Sequence, residues 1–192
     1  YKGNFVYLHP YFSKNYNMDK NIAKKLILEN QQMVKELSFV RRNVEFEPHS
    51  CYVLVGLRRA GKSYMLYQRI HDLLQQGHSI EEILYFNFED DRLADIQLSD
   101  LDLIKQAYEE LFAHKPIFML DEIQLVDGWE KFARRLADHK YLVYYWKQCK
   151  DVEQRNFHNS WRTLYSSKCI SIFLHRIPPI QEHPIRKAVG IP

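Results

Sequence analysis

Eight residues constrain this chain more than any others: Gly56-Leu57-Arg58-Arg59-Ala60-Gly61-Lys62-Ser63. They fit Gly-x-x-x-x-Gly-Lys-Ser, and their flanks matter as much as the match. The compact apolar run Cys51-Tyr52-Val53-Leu54-Val55 precedes them, and a helical pattern from Ser63 to about Gln76 follows, closed by Gly77. A buried strand that enters a glycine loop and then a helix builds an anion cradle. Gly56 and Gly61 permit the tight loop whose N–H groups turn inward. The helix N-terminus adds partial positive charge. Lys62 can then reach the β- and γ-phosphates of a nucleotide, and the Ser63 hydroxyl can ligate Mg²⁺. The candidate binding set is Gly56 to Ser63 with Tyr64. Arg58 and Arg59 either touch phosphate or a neighbouring acidic group, or are solvated.

The rest of the chain alternates strands with helices. Ile22, Leu26, Ile27, Met33, Val34 and Leu37 recur at three- and four-residue steps, which predicts an amphipathic helix from Asn17 to about Phe39. A short strand is expected at Val44–Phe46, then buried strands at Cys51–Val55, Ile83–Phe88 and 116–120. A further strand is expected to begin at Tyr141. Ser99 is expected to cap a helix carrying Leu103, Ile104, Ala107, Tyr108, Leu111 and Phe112, and Trp129 to Ala137 reads as a short helix. Such alternation predicts an α/β fold with a parallel sheet and helices on both faces.

The strand at 116–120 runs into Asp121-Glu122. Asp121 would hold Mg²⁺ directly or through water, and Glu122 would polarise an attacking water. Glu89-Asp90-Asp91 follows the preceding strand at the same edge, where a metal or partner role competes with a solvated acidic turn.

Composition excludes several classes. Hydrophobic residues make up 46% and charged residues 27%, so wholesale disorder is out. No apolar run approaches the roughly 20 residues that cross a bilayer, so no membrane role is expected. Tyr1-Lys2-Gly3-Asn4 shows no signal-peptide pattern and no initiator Met, so residues before Tyr1 are expected to be missing. Three cysteines without paired spacing fit a reducing cytoplasm. The net charge of +3 hides an imbalance: residues 1–144 hold 19 Lys and Arg against 21 Asp and Glu, and residues 145–192 hold 8 against 3.

The same residues carry a family likeness. The glycine loop, then Tyr85-Phe86-Asn87-Phe88-Glu89-Asp90, then Leu120-Asp121-Glu122-Ile123-Gln124 with Gly128-Trp129-Glu130, resemble the prokaryotic AAA-like P-loop ATPases. The closest group has an N-terminal ATPase domain followed by a C-terminal domain of uncharacterised function. The resemblance covers roughly Leu28 to Tyr144. It implies a three-layer α/β/α P-loop NTPase fold of AAA-like type, here expected to be truncated, with ATP and Mg²⁺ as cofactors. It places Lys62 and Ser63 on phosphates and Mg²⁺, Asp121 on Mg²⁺, and Glu122 as catalytic base beside Lys62. It also implies oligomers, since AAA-like ATPases often assemble in rings. No Asn-Lys-x-Asp guanine-reading motif is present, so adenine is favoured.

The likeness stops after Tyr144. That family continues with Thr-Gly-Ser-Asn or similar, a polar sensor near the γ-phosphate, and later a Gly-Arg segment. This chain reads Tyr145-Trp146-Lys147-Gln148-Cys149 instead. The genetic code offers a reason. Taking the last two bases of each codon with the first of the next, Trp146-Lys147 must spell glycine, and its neighbours permit Thr, Ser and Asn. Trp161-Arg162 must spell glycine again, and the next codons permit Gly, Arg and Tyr. Residues from about Tyr145 to Pro192 are therefore expected to come from a shifted reading frame and to pack poorly. The rival is a genuine basic tail, with a strand over 166–174 and a turn at Pro178-Pro179.

Three segments follow: an aromatic lead and amphipathic helix over 1–40, an incomplete ATPase core over 41–144, and the basic tail over 145–192. The expected activity is ATP binding with Mg²⁺, with hydrolysis weak or absent because sensor and arginine are missing. An arginine finger alone is worth roughly 10³–10⁵ in rate. The alternative is a non-hydrolysing, nucleotide-bound module whose lead (Phe5, Tyr7, Tyr11, Phe12, Tyr16) docks an unknown protein partner. Nucleic-acid binding has no support from the core.

Overall fold

A computed structural model of the chain describes residues 18–47, 49–56, 60–148 and 169–174. Strand β1, Cys51–Gly56, is an inner strand of the sheet and is buried along its whole length. A run without polar alternation needs cover on both faces. Val53 and Val55 pack into one layer, and Tyr52 and Leu54 into the other. The other strands are β2 (Ile83–Asn87), β3 (Ile117–Asp121), β4 (Val143–Gln148) and β5 (Cys169–Leu174). All pair in parallel, in the order β2-β3-β4-β1-β5. Within the segment after Tyr144, the end of β4 and all of β5 are thus strands of the sheet, and β5 lies beside β1 with Cys51 opposite Cys169.

The helices are α1 (Lys20–Glu36), α2 (Lys62–Gln75), α3 (Leu98–Leu111) and α4 (Trp129–Asp138). Residues of α1, α3 and α4 share one core with Val53, Leu120 and Tyr145. On the opposite face, α2 contributes Met65, Leu66 and Ile70 to a core with Tyr52, Leu54 and Tyr144. The result is three layers, α/β/α. Among the described residues no helix is long and apolar enough to cross a membrane.

α1 contacts β2, the edge strand on this side of the sheet. Gln31, buried on its inner face, donates from Nε2 to Ile80 O at 3.0 Å and Ile83 O at 2.9 Å. An uncovered strand edge invites pairing with another chain, and this amide closes part of it.

Local departures from the sequence expectations have local causes. Asp19 caps α1, its carboxylate accepting from Asn21 N at 3.3 Å. Residue 17 lies outside the described residues. The helix stops at Glu36, short of Phe39, whose ring packs edge-on against His71 of α2. Val44–Phe46 forms no strand; Phe46 instead sets its ring edge-on to Tyr52, 4.9 Å between centres. Ser99 is not the cap of α3: the helix begins at Leu98, and the Asp100 carboxylate accepts from Gln97 N at 2.9 Å. Tyr141 precedes β4 because its N–H donates to Leu136 O at the end of α4.

Candidate functional site

Parallel strands bring their carboxyl ends to one edge. Gly56 pairs with Gln148 there, and Asn87 with Asp121. Ligands of open α/β sheets bind at this edge, where connections diverge to opposite sides. β1 is such a point: the chain leaves it through α2 for β2, past β3 and β4, while β5 lies on its other side.

Gly56 ends β1, and Gly61 is the residue before α2, with φ of 74°. That left-handed backbone favours glycine. A Cβ there would also come within 3.0 Å of the Arg42 guanidinium. Ala60 is buried; Leu57, Arg58 and Arg59 lie outside the described residues. Lys62 and Ser63 are the first two residues of α2, and Tyr64 is half exposed beside Tyr67. Lys62 Nζ donates to Gly56 O at 3.2 Å. Burial pushes this ammonium below its ordinary pKa, against the opposing pull of Glu122 and Asp121.

Asp121 ends β3 and is 1% exposed. Its Oδ2 accepts from Tyr85 Oη at 2.8 Å, and Tyr85 Oη lies 3.1 Å from Tyr67 Oη. Its Oδ1 is buried without a hydrogen-bond partner. Desolvation pushes the Asp121 pKa up to about 6; the Tyr85 and Ser63 hydroxyls offset this in part, while Glu89 adds to it. Glu122 follows at φ of 56°, an uncommon backbone for a residue with a side chain, and accepts from Gln124 Nε2. Burial, then the Asp121 charge, raise Glu122 to about 7. Two carboxyls raised chiefly by burial and further by neighbouring carboxylates, one with an unpartnered oxygen, form a site that a cation would relieve.

Among the described residues no cluster of three or more His, Cys, Asp or Glu is placed to hold a metal. Mg²⁺ keeps several waters and takes one or two protein ligands plus phosphate oxygens. The donors present, Asp121 and Ser63, fit such an ion.

Four contributors, Arg42, Gln68, Tyr85 and Trp146, are set by contacts that the sequence motifs do not specify. Arg42 donates from Nη2 to Ala60 O at 2.6 Å, and Gln68 holds its backbone through two hydrogen bonds of 2.8 and 2.9 Å. Tyr85 holds Asp121; the period-2 alternation of β2 and β3 was the signal that could have found it. Trp146 of β4 lies against Lys62. A separate cleft of about 440 Å³, lined by His49, Cys51, Glu82 and Lys115 among others, opens at the amino ends of the strands, away from these groups.

A parallel β2-β3-β4-β1-β5 sheet, with a glycine loop after β1 and a carboxylate pair after β3, defines a nucleotide-binding ATPase-type α/β domain. The chain belongs to the AAA domain family, whose model matches residues 48–147. It is similar to an uncharacterised protein of Methanocaldococcus jannaschii, 35% identical over 130 residues, covering 66% of this chain and 28% of that one. An uncharacterised protein of Haemophilus influenzae is 32% identical over 109 residues, covering 56% and 27%. A second M. jannaschii protein, also uncharacterised, is 29% identical over 140 residues, covering 70% and 27%. The chain thus spans little more than a quarter of the length of these relatives.

Proposed function

We propose that this chain binds ATP with Mg²⁺ at the carboxyl ends of β1 and β3, and that turnover by the chain as it stands is weak or absent. One observation carries the reading: the buried, unpartnered Asp121 Oδ1 stands in the same site as Ser63, Lys62 and Glu122. The loop amides and the N-terminus of α2 hold phosphate. Lys62 pairs with the outer phosphates, and Ser63 and Asp121 hold the cation. When bound, Mg²⁺ neutralises charge that develops on the phosphate oxygens. Glu122, near neutrality in its raised range, accepts a proton from an attacking water and orients it, with Gln124 fixing its carboxylate.

The test is titration of a fluorescent ATP analogue with Mg²⁺ present. Lys62→Ala is expected to lose binding, and Glu122→Gln to keep binding and lose whatever turnover the wild type has. Equal affinity in Lys62→Ala and wild type would refute the phosphate loop assignment.

A further inference from the structure

Tyr85 of β2 stands opposite Met119 of β3, and Asp121 follows Met119 by two residues, so all three point to the face that packs against α2. Tyr85 and Asp121 are each 1% exposed. The Tyr85 phenol donates to Asp121 Oδ2 at 2.8 Å, and Tyr67 Oη of α2 lies 3.1 Å from Tyr85 Oη. A phenol has one proton to give. Tyr85 gives its own to the carboxylate, so Tyr67 donates to Tyr85. Ser63, one turn earlier on the same helix, brings its hydroxyl to the same carboxyl. Resting on the cation site argued above, we propose that the Tyr67–Tyr85 hydroxyl pair positions Asp121 for the cation. It fixes the carboxyl by Oδ2 and leaves Oδ1 as the ligand.

Packing alone does not ask for this arrangement. A buried phenol needs one acceptor, and a backbone carbonyl would serve without drawing a carboxylate into the core. Here two phenols stand in series on one carboxyl, whose second oxygen is buried with no hydrogen-bond partner. Donation into Tyr85 polarises its O–H and strengthens the bond to Asp121. A carboxyl held at one oxygen does not swing freely about its own axis, so the other oxygen keeps one direction. Partners of this kind, one step removed from the metal, are worth about 10–100-fold in metal affinity. Ser63 and Tyr67 lie four residues apart on α2, so one helix face supplies one cation ligand and supports the other.

Titration of a fluorescent ATP analogue in Mg²⁺ and in EDTA gives two dissociation constants for each protein, and their ratio is the gain from the cation. The set is wild type, Tyr85→Phe, Tyr67→Phe and Asp121→Asn. Asp121→Asn is expected to lose the gain. Tyr85→Phe keeps the ring and is expected to cut the gain about tenfold. Tyr67→Phe leaves Tyr85 donating and is expected to cut it by less. A folding defect or a displaced loop weakens binding in both conditions and leaves the ratio unchanged. A Tyr85→Phe ratio equal to that of wild type overturns the proposal while leaving the cation site intact. If Tyr85→Phe fails to fold, a Tyr67→Phe ratio equal to that of wild type overturns it instead. A wild type that gains nothing from Mg²⁺, or an Asp121→Asn variant that keeps the gain, overturns the cation site itself, and this proposal with it.

Discussion

Replacing Asp121 by asparagine separates two demands on this position: a charge for a cation, and a neutral group for a buried site. The carboxyl is raised from 3.8 to about 6, chiefly by desolvation. About two pKa units correspond to ~3 kcal/mol. The sign follows from which state holds the proton more tightly. The native state does, so the stabilising contribution is complete below pH 3.8 and is lost as pH rises through about 6. At pH 8 the wild type carries the full penalty of a buried charge. Asparagine has none, and its oxygen can still accept from Tyr85. Its amide donors, however, fall where Oδ1 has no partner, a cost of about 1–2 kcal/mol. The net expectation is a gain of ~1–2 kcal/mol at pH 8, or ~2–8 °C in melting temperature. At pH 4.5 the order reverses, because the protonated acid has no charge to bury. Thermal unfolding in EDTA at the two pH values measures this. Mg²⁺ with nucleotide should then raise the melting temperature of wild type and leave Asp121→Asn unmoved. Destabilisation by the same amount at both pH values would refute the claim that burial penalises this carboxylate.

Other expectations concern the surroundings of the site. Gly61→Ala should cost about 1–2 kcal/mol through its left-handed backbone, push Arg42 aside and weaken nucleotide binding, read by urea unfolding and analogue titration. Gln68→Leu should free the Arg42 segment, seen as faster amide exchange around residues 41–44 with α2 otherwise protected. Gln31→Leu removes the donor to the Ile80 carbonyl, in the turn before β2, and to the Ile83 carbonyl at its start, and should lower stability by about 2 kcal/mol in urea; an unchanged midpoint would contradict the capping role.

What the sequence disclosed about this site is what a short stretch of chain can hold. The glycine loop, its flanking strand and helix, and the Asp121-Glu122 pair are contiguous patterns whose geometry is set within a few residues. Their mutual approach needs only that β1 and β3 be parallel strands of one sheet. Arg42 and Tyr85 reach their partners from 18 and 36 residues away, through side-chain directions that no local pattern specifies. The missed start of α3 has the same origin on a smaller scale. Ser99 is a good capping residue by type, but the Asp100 carboxylate satisfies Gln97 N and moves the boundary. Phe46 reads as part of a strand by composition, yet it finds its burial against Tyr52 and Tyr144 without a ladder partner.

Position 146 joins the packing to the question of how this chain is encoded. We propose that residues after about Tyr144 are read from a shifted frame, and the cover over Lys62 adds a physical reason to the codon argument. Tryptophan has a single codon, so its last two bases with the first base of a lysine codon spell glycine. A glycine at this point of β4 has no side chain to lie over Lys62, and the ammonium would face the site open. Against this stands β5, since Cys169–Leu174 takes its place beside β1 in register over six residues. A shifted-frame chain must supply a fifth strand of its own. Reading the coding DNA and transcript across codons 140–192 decides between the two. A shifted frame that stays open past Pro192 and encodes a Gly-Arg segment makes Trp146 a feature of this reading alone. A shifted frame that closes within a few codons refutes the proposal, leaves β5 as the native edge of the sheet, and makes the Trp146 contact with Lys62 a native one.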